Sequence, residues 1–172
     1  FSCAASVDAS SLGLVRGFSG TDGLDGFALT YQNDWGQLIG FRNNWELSGY
    51  WNSELAYWKT NDSLNTHYSN ITIFSLTPTL RYRRQIPYDN GVTPFLDLGY
   101  GLGVMNQKQF SDNQLGGYAT FRQTFGAGIQ FGSQNQYAVS YHYVVYNNAE
   151  QFKQDDGLFL NAIEFDYYFP ES

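Results

Sequence analysis

The chain has 172 residues, the length of one domain, with 42% hydrophobic and 19% aromatic residues, 18 Gly, 4 Pro and only 15% charged residues. This is strand chemistry broken by turns, and it excludes a disordered or coiled-coil chain. A net charge of -7 excludes a phosphate-backbone binder, and the single Cys3 excludes both an internal disulfide framework and a cysteine-based zinc site. No apolar run reaches the length of a membrane helix. A membrane β-barrel stays open, because alternating residues hide it from average hydropathy.

Residues 1–7 are expected to be an N-terminal tail or the remnant of a signal peptide, with a lipid-modified Cys3 as the sharper alternative. The chain then reads as eight strands in a single domain, 1–172: residues 8–18, 25–33, 44–58, 71–84, 93–105, 116–131, 137–148 and 157–169. In the third strand Trp45, Leu47, Trp51, Leu55 and Tyr57 alternate with Glu46, Ser48, Asn52 and Glu54. In the fourth, Phe74, Leu76, Pro78, Leu80 and Tyr82 alternate with Ser75, Thr77, Thr79, Arg81 and Arg83, while Ile71 and Ile73 fall on the polar side. Pro78 is a poor strand residue because it forfeits a ladder hydrogen bond. Leu96, Leu98, Tyr100 and Leu102 oppose Asp97 and glycines in the fifth. Phe121, Phe125, Ala127 and Ile129 oppose Thr120, Arg122 and Thr124 in the sixth, with Gln123 as the exception on the greasy side. Val139, Tyr141, Tyr143 and Val145 oppose Ser140 and His142 in the seventh, and Phe159, Ile163 and Phe165 oppose Glu164 and Asp166 in the eighth.

Successive strand side chains point to opposite faces, so one face is greasy and the other carries charge. A soluble barrel buries the greasy face, whereas a membrane barrel turns it outward. Three features favour the membrane. The polar face carries both signs, as a closed interior requires. The segments reach the roughly 9–11 residues of a tilted membrane strand. The last strand ends in Phe165, Tyr167, Tyr168 and Phe169, like an outer-membrane assembly signal. The expected fold is therefore all-β, an eight-stranded antiparallel transmembrane barrel with a packed polar interior. An even strand number puts both termini on one side, expected to be the periplasm. The external loops are then 19–24, 59–70, 106–115 and 149–156, with segment 34–43 and the turns at 87–91 and 132–136 periplasmic. Trp45, Trp51, Trp58 and Tyr168 are candidates for interfacial belts. Trp35 either lies on the membrane surface or plugs the barrel base.

Several stretches in this order resemble the PagL-type lipid A 3-O-deacylase family. They are Leu47 to Trp51 with Ala56 to Trp58, Pro94 to Val104, Asn113 to Gly116, Phe125 to Phe131, Tyr146 to Ala149 and Asp156 to Leu158. The resemblance implies an eight-stranded outer-membrane barrel that removes the 3-position acyl chain of lipid A by serine-esterase chemistry, with no metal and no cofactor. Such chemistry needs a Ser nucleophile, a His base and an acid that orients the His. The family carries His and Ser two apart on the seventh strand and the acid on the eighth. Anchored on Tyr146, Ala149, Asp156 and Gly157, those positions hold Val145, Asn147 and Phe159 here. None of the three can perform the role.

Two other constellations contain the right residue types. Ser140 and His142 with Glu164 and Asp166 form a triad on paper, but their parity places them inside the barrel as a polar network. His67 and Ser69, with Tyr68 and Asn70, reproduce the family's His-x-Ser-Asn in the second external loop. A short motif in a polar loop also arises by chance. Three functions stay open. One is a non-catalytic barrel that binds lipopolysaccharide, outer-membrane lipid or a protein partner in the membrane. Another is an active deacylase with a relocated site. The last is a soluble barrel enclosing a ligand.

Overall fold

The computed structural model describes residues 10–19, 23–60, 69–110, 113–114, 117–147 and 157–169. Its strands are β1 (Ser11–Phe18), β2 (Leu24–Gly40), β3 (Trp45–Thr60), β4 (Asn70–Arg84), β5 (Thr93–Met105), β6 (Gln109–Phe110), β7 (Asn113–Gln114), β8 (Ala119–Phe131), β9 (Tyr137–Asn147) and β10 (Leu158–Tyr168). Eight of them close in the order β1-β10-β9-β8-β5-β4-β3-β2, every neighbour antiparallel. β6 and β7 form a separate small hairpin in the connection read from the sequence as a plain loop. The barrel has a terminal end, where β1 begins and β10 finishes, and a loop end opposite. At the terminal end Gly91 takes a φ of 75° in the tight turn foreseen at Asn90 and Gly91.

Closure sends the polar face inward. Glu46, Glu54, Arg81, Asp97, Arg122, Ser140, His142, Glu164 and Asp166 are all buried, while Leu98, Leu102, Phe125 and Ile163 are exposed on the outer wall. Several of the inward charges are paired side by side, while Asp166 accepts from the Gln32 amide at 3.0 Å. Arg81 donates to both oxygens of Asp97 at 2.7 Å, and the Tyr50 hydroxyl donates to the same carboxylate at 2.9 Å. The Arg81 guanidinium also lies 4.0 Å from the centre of the Phe95 ring and donates to the Tyr168 hydroxyl. Arg122 donates to both oxygens of Glu54 at 3.1 and 2.8 Å, and Tyr146 donates to that carboxylate as well. Arg83 pairs with Glu46 nearer the terminal end.

In the loop half of the lumen, the Arg122–Glu54 pair adjoins a cluster of apolar side chains. Val15, Leu24, Trp58, Ile71, Ile73, Met105, Val144, Leu158 and Leu160 pack there into an apolar plug. This explains the parity of Ile71 and Ile73, which face a local core inside the barrel. It also corrects two belt assignments: Trp58 belongs to the plug, and Tyr168 turns inward onto Arg81. Trp51 faces outward, and Trp45 stacks on Tyr82 at 4.7 Å.

Two further differences from the sequence reading have local causes. Segment 34–43 is mostly strand, because β2 runs on to Gly40 through register shifts between Asp34 and Gly36 and between Gln37 and Ile39. The first bulge turns Trp35 onto the outer wall, edge-on to Trp51 at 5.4 Å. Its ring fills the space above Gly49, where a Cβ would stand 2.3 Å away, so Trp35 does not plug the base. Pro78 is accommodated because the β4–β5 register skips Thr77 and Pro78. Gly101 comes so close there that a Cβ would meet the Leu76 carbonyl oxygen at 2.3 Å.

Removing one member of a buried ion pair leaves an uncompensated charge. Arg122→Met is expected to lower the unfolding free energy by about 3–5 kcal/mol. The double change Arg122→Met with Glu54→Leu should recover most of that loss. Equilibrium urea unfolding in lipid vesicles measures both, and equal losses would show that the pair does not act as a unit.

Candidate functional site

The lumenal candidates come together as a network. Ser140 Oγ lies 2.8 Å from His142 Nε2, and Glu164 Oε2 lies 3.3 Å from the same nitrogen. Thr124 Oγ1 is 3.4 Å from Nδ1, and Thr30 donates to Glu164 at 2.6 Å. A relay needs nucleophile and acid on opposite ring nitrogens. Here both sit on Nε2, and all three side chains are buried between the apolar plug and the Arg81–Asp97 pair. The arrangement satisfies buried polar groups and does not present a serine to a lipid. Ser140→Ala is therefore expected to lower the unfolding free energy by about 1 kcal/mol, the worth of a lost hydrogen bond. Lipid A extracted from cells expressing it should match that from cells expressing the parent chain by mass spectrometry.

The outward candidates form a second group. Val145 is the register partner of Phe159 on one side and of Gln123 on the other, and Asn147 is the partner of Phe121. These residues share the outer wall of β8, β9 and β10 near the loop end. Phe159 is 44% exposed, and Gly157, at a φ of 63°, turns the chain into β10 beneath its ring. Next to Val145 an open groove of about 460 Å³ runs across β4, β5, β8 and β9. Leu80, Leu98, Tyr100, Phe125 and Tyr143 line it, with Gln123 as its polar edge. Among the described residues the patch offers apolar surface and the amide of Gln123, but no nucleophile–base pair. The sequence marked Gln123 as an exception in its strand. It did not show the groove, which is assembled from four strands distant in sequence.

Of the loop pair, His67 lies outside the described residues. Ser69 is exposed at the loop end, where its carbonyl accepts from the Thr60 N–H at 3.0 Å. Among the described residues no group of three or more His, Cys, Asp and Glu is placed to hold a metal ion.

Comparison with known proteins agrees with this architecture. A curated relative, the lipid A deacylase PagL of Pseudomonas aeruginosa, is 25% identical over 154 residues, covering 90% of this chain and 83% of the relative. The crystal structure of the outer membrane enzyme PagL superposes with a TM-score of 0.75 at 21% identity, covering 91% of this chain and 98% of that one. Neisserial surface protein A shares the fold more loosely, with a TM-score of 0.50 at 11% identity and coverage of 93% and 92%. Residues 25–168 match the family described as Lipid A 3-O-deacylase (PagL). The chain is a bacterial outer-membrane β-barrel and belongs to the PagL lipid A 3-O-deacylase family.

Proposed function

We propose that this barrel has given up the family's hydrolysis and binds lipid A of lipopolysaccharide on its outer wall. The observation that carries the reading is the outward patch at Val145, Asn147 and Phe159. Among the described residues its neighbours are an apolar groove and the Gln123 amide, and none is a proton acceptor positioned on a hydroxyl. Val145 cannot act as a base, Asn147 is not a nucleophile of this type, and Phe159 cannot orient an imidazole. What remains suits an acyl chain along the groove, with a hydrogen bond from the Gln123 amide at the chain's polar root. The wall faces hydrocarbon, so a lipid chain rather than water fills a concavity there.

The test is expression in a Gram-negative host with intact lipid A, followed by lipid A mass spectrometry and by native mass spectrometry of the purified barrel with added lipid A. Unchanged lipid A together with lipid A adducts is the expected result. Loss of a hydroxyacyl chain, abolished by Ser69→Ala, would overturn the reading and place catalysis at His67 and Ser69. Unchanged lipid A without adducts would point to a protein partner in the membrane instead.

The combined change Val145→His, Asn147→Ser and Phe159→Glu is expected to give measurable release of a 3-hydroxyacyl chain. Its rate should lie on the order of 10²-fold below that of a native triad, because nothing evolved to hold the new side chains in place. The assay is time-resolved fatty-acid release from lipid A in detergent micelles.

A further inference from the structure

We propose that Arg16, Asp25 and Lys59 clamp a phosphate of lipid A on the outer wall at the loop end. The inference rests on the reading that the protein engages lipid A, and it assigns the charged part of that lipid to β1, β2 and β3.

Arg16 is on the outward face two residues before the end of β1, Asp25 is second in β2, and Lys59 is next to last in β3. Asp25 is the register partner of Phe18 on β1 and of Lys59 on β3. Register partners project from the same face, so the two cations flank one carboxylate. Arg16 Nη2 lies 2.6 and 2.7 Å from the two oxygens of Asp25. The Arg16 side chain stays 64% exposed in spite of that contact, and Nη2 is the nitrogen that engages the carboxylate. The Lys59 ammonium stands 5.4 Å from the centre of the Tyr57 ring and has no anionic partner among the described residues. Phe27 packs against Tyr57 at 5.9 Å on the membrane side of the charges.

A charge on a lipid-facing wall is tolerated at the headgroup level and costly below it. The cluster therefore marks that level, and among the described residues it holds two cations to one anion. That balance suits an anion from outside the protein. A guanidinium fork with an adjacent ammonium matches a phosphate monoester, the fork supplying paired donors and the ammonium a point charge. Asp25 acts as a positioning residue, holding Arg16 across the β1–β2 seam. The clamp is also within reach of the β8–β10 patch. Arg16 is the register partner of Ile163, four residues along β10 from Phe159, a distance of roughly 13 Å along the strand. A phosphorylated disaccharide headgroup spans that distance while one of its acyl chains descends beside Val145.

The experiment is native mass spectrometry of the intact barrel in micelles, titrated with bisphosphoryl lipid A, with the same lipid A stripped of phosphate, and with phosphatidylglycerol. The expected result is a preference of roughly tenfold for the phosphorylated form. Arg16→Gln with Lys59→Gln should abolish it, and Lys59→Arg should keep it. Heat-modifiable gel mobility establishes that each variant is folded, and the two single substitutions replace the double one if it is not. A preference that survives the substitutions overturns the assignment to these residues, and equal affinity for both forms of lipid A overturns the clamp itself. Phosphatidylglycerol bound as tightly, with the same dependence on Arg16 and Lys59, overturns lipid A as the source of the phosphate. A parent chain that binds no form of lipid A overturns the underlying reading as well.

Discussion

A strand in hydrocarbon has no water to receive its backbone N–H and C=O groups, so the sheet must close on itself, and the rest of this structure follows from that closure. Pairing of β1 with β10 removes both free edges of the sheet. Once the ladder is closed, each strand has one face in lipid and one in a narrow lumen. Charges placed in that lumen must find partners among themselves. Arg81 with Asp97 and Arg122 with Glu54 do so through paired donors, and tyrosine hydroxyls complete both carboxylates. These contacts link β3, β4, β5, β8 and β9 across the interior.

Strict alternation made the inward and outward sets legible for most of the barrel. The charges Glu46, Arg81, Asp97, Arg122, Glu164 and Asp166 all lie on the inward side that parity gives them. Parity carries two assumptions, an even register and a uniform interior, and it misleads where either fails. The bulges at Trp35 and Leu38 break the register of β2, so a strand reads as an irregular segment. Ile71, Ile73 and Trp58 belong to an interior that changes from polar to apolar along its axis. A one-dimensional pattern does not carry that change. Tyr168 reads as a belt residue from its aromatic neighbours alone, whereas its hydroxyl serves Arg81.

The site was legible to a different depth. Parity alone separated the lumenal Ser140 and His142 from the outward Val145 and Phe159, and with them a structural network from a lipid-facing patch. The groove beside Val145 and the charges at the loop end were invisible for a common reason. Leu80 and Tyr143 line one groove, and Arg16 and Lys59 flank Asp25, only through register between strands, and no spacing within one strand encodes it.

The apolar cluster at the loop half of the lumen bears on the barrel's rigidity. Beyond the Arg81–Asp97 pair, Ile71, Ile73, Leu158 and Leu160 pack against one another beside the Arg122–Glu54 pair. An interior packed in this way acts as a strut that holds the outer wall in shape.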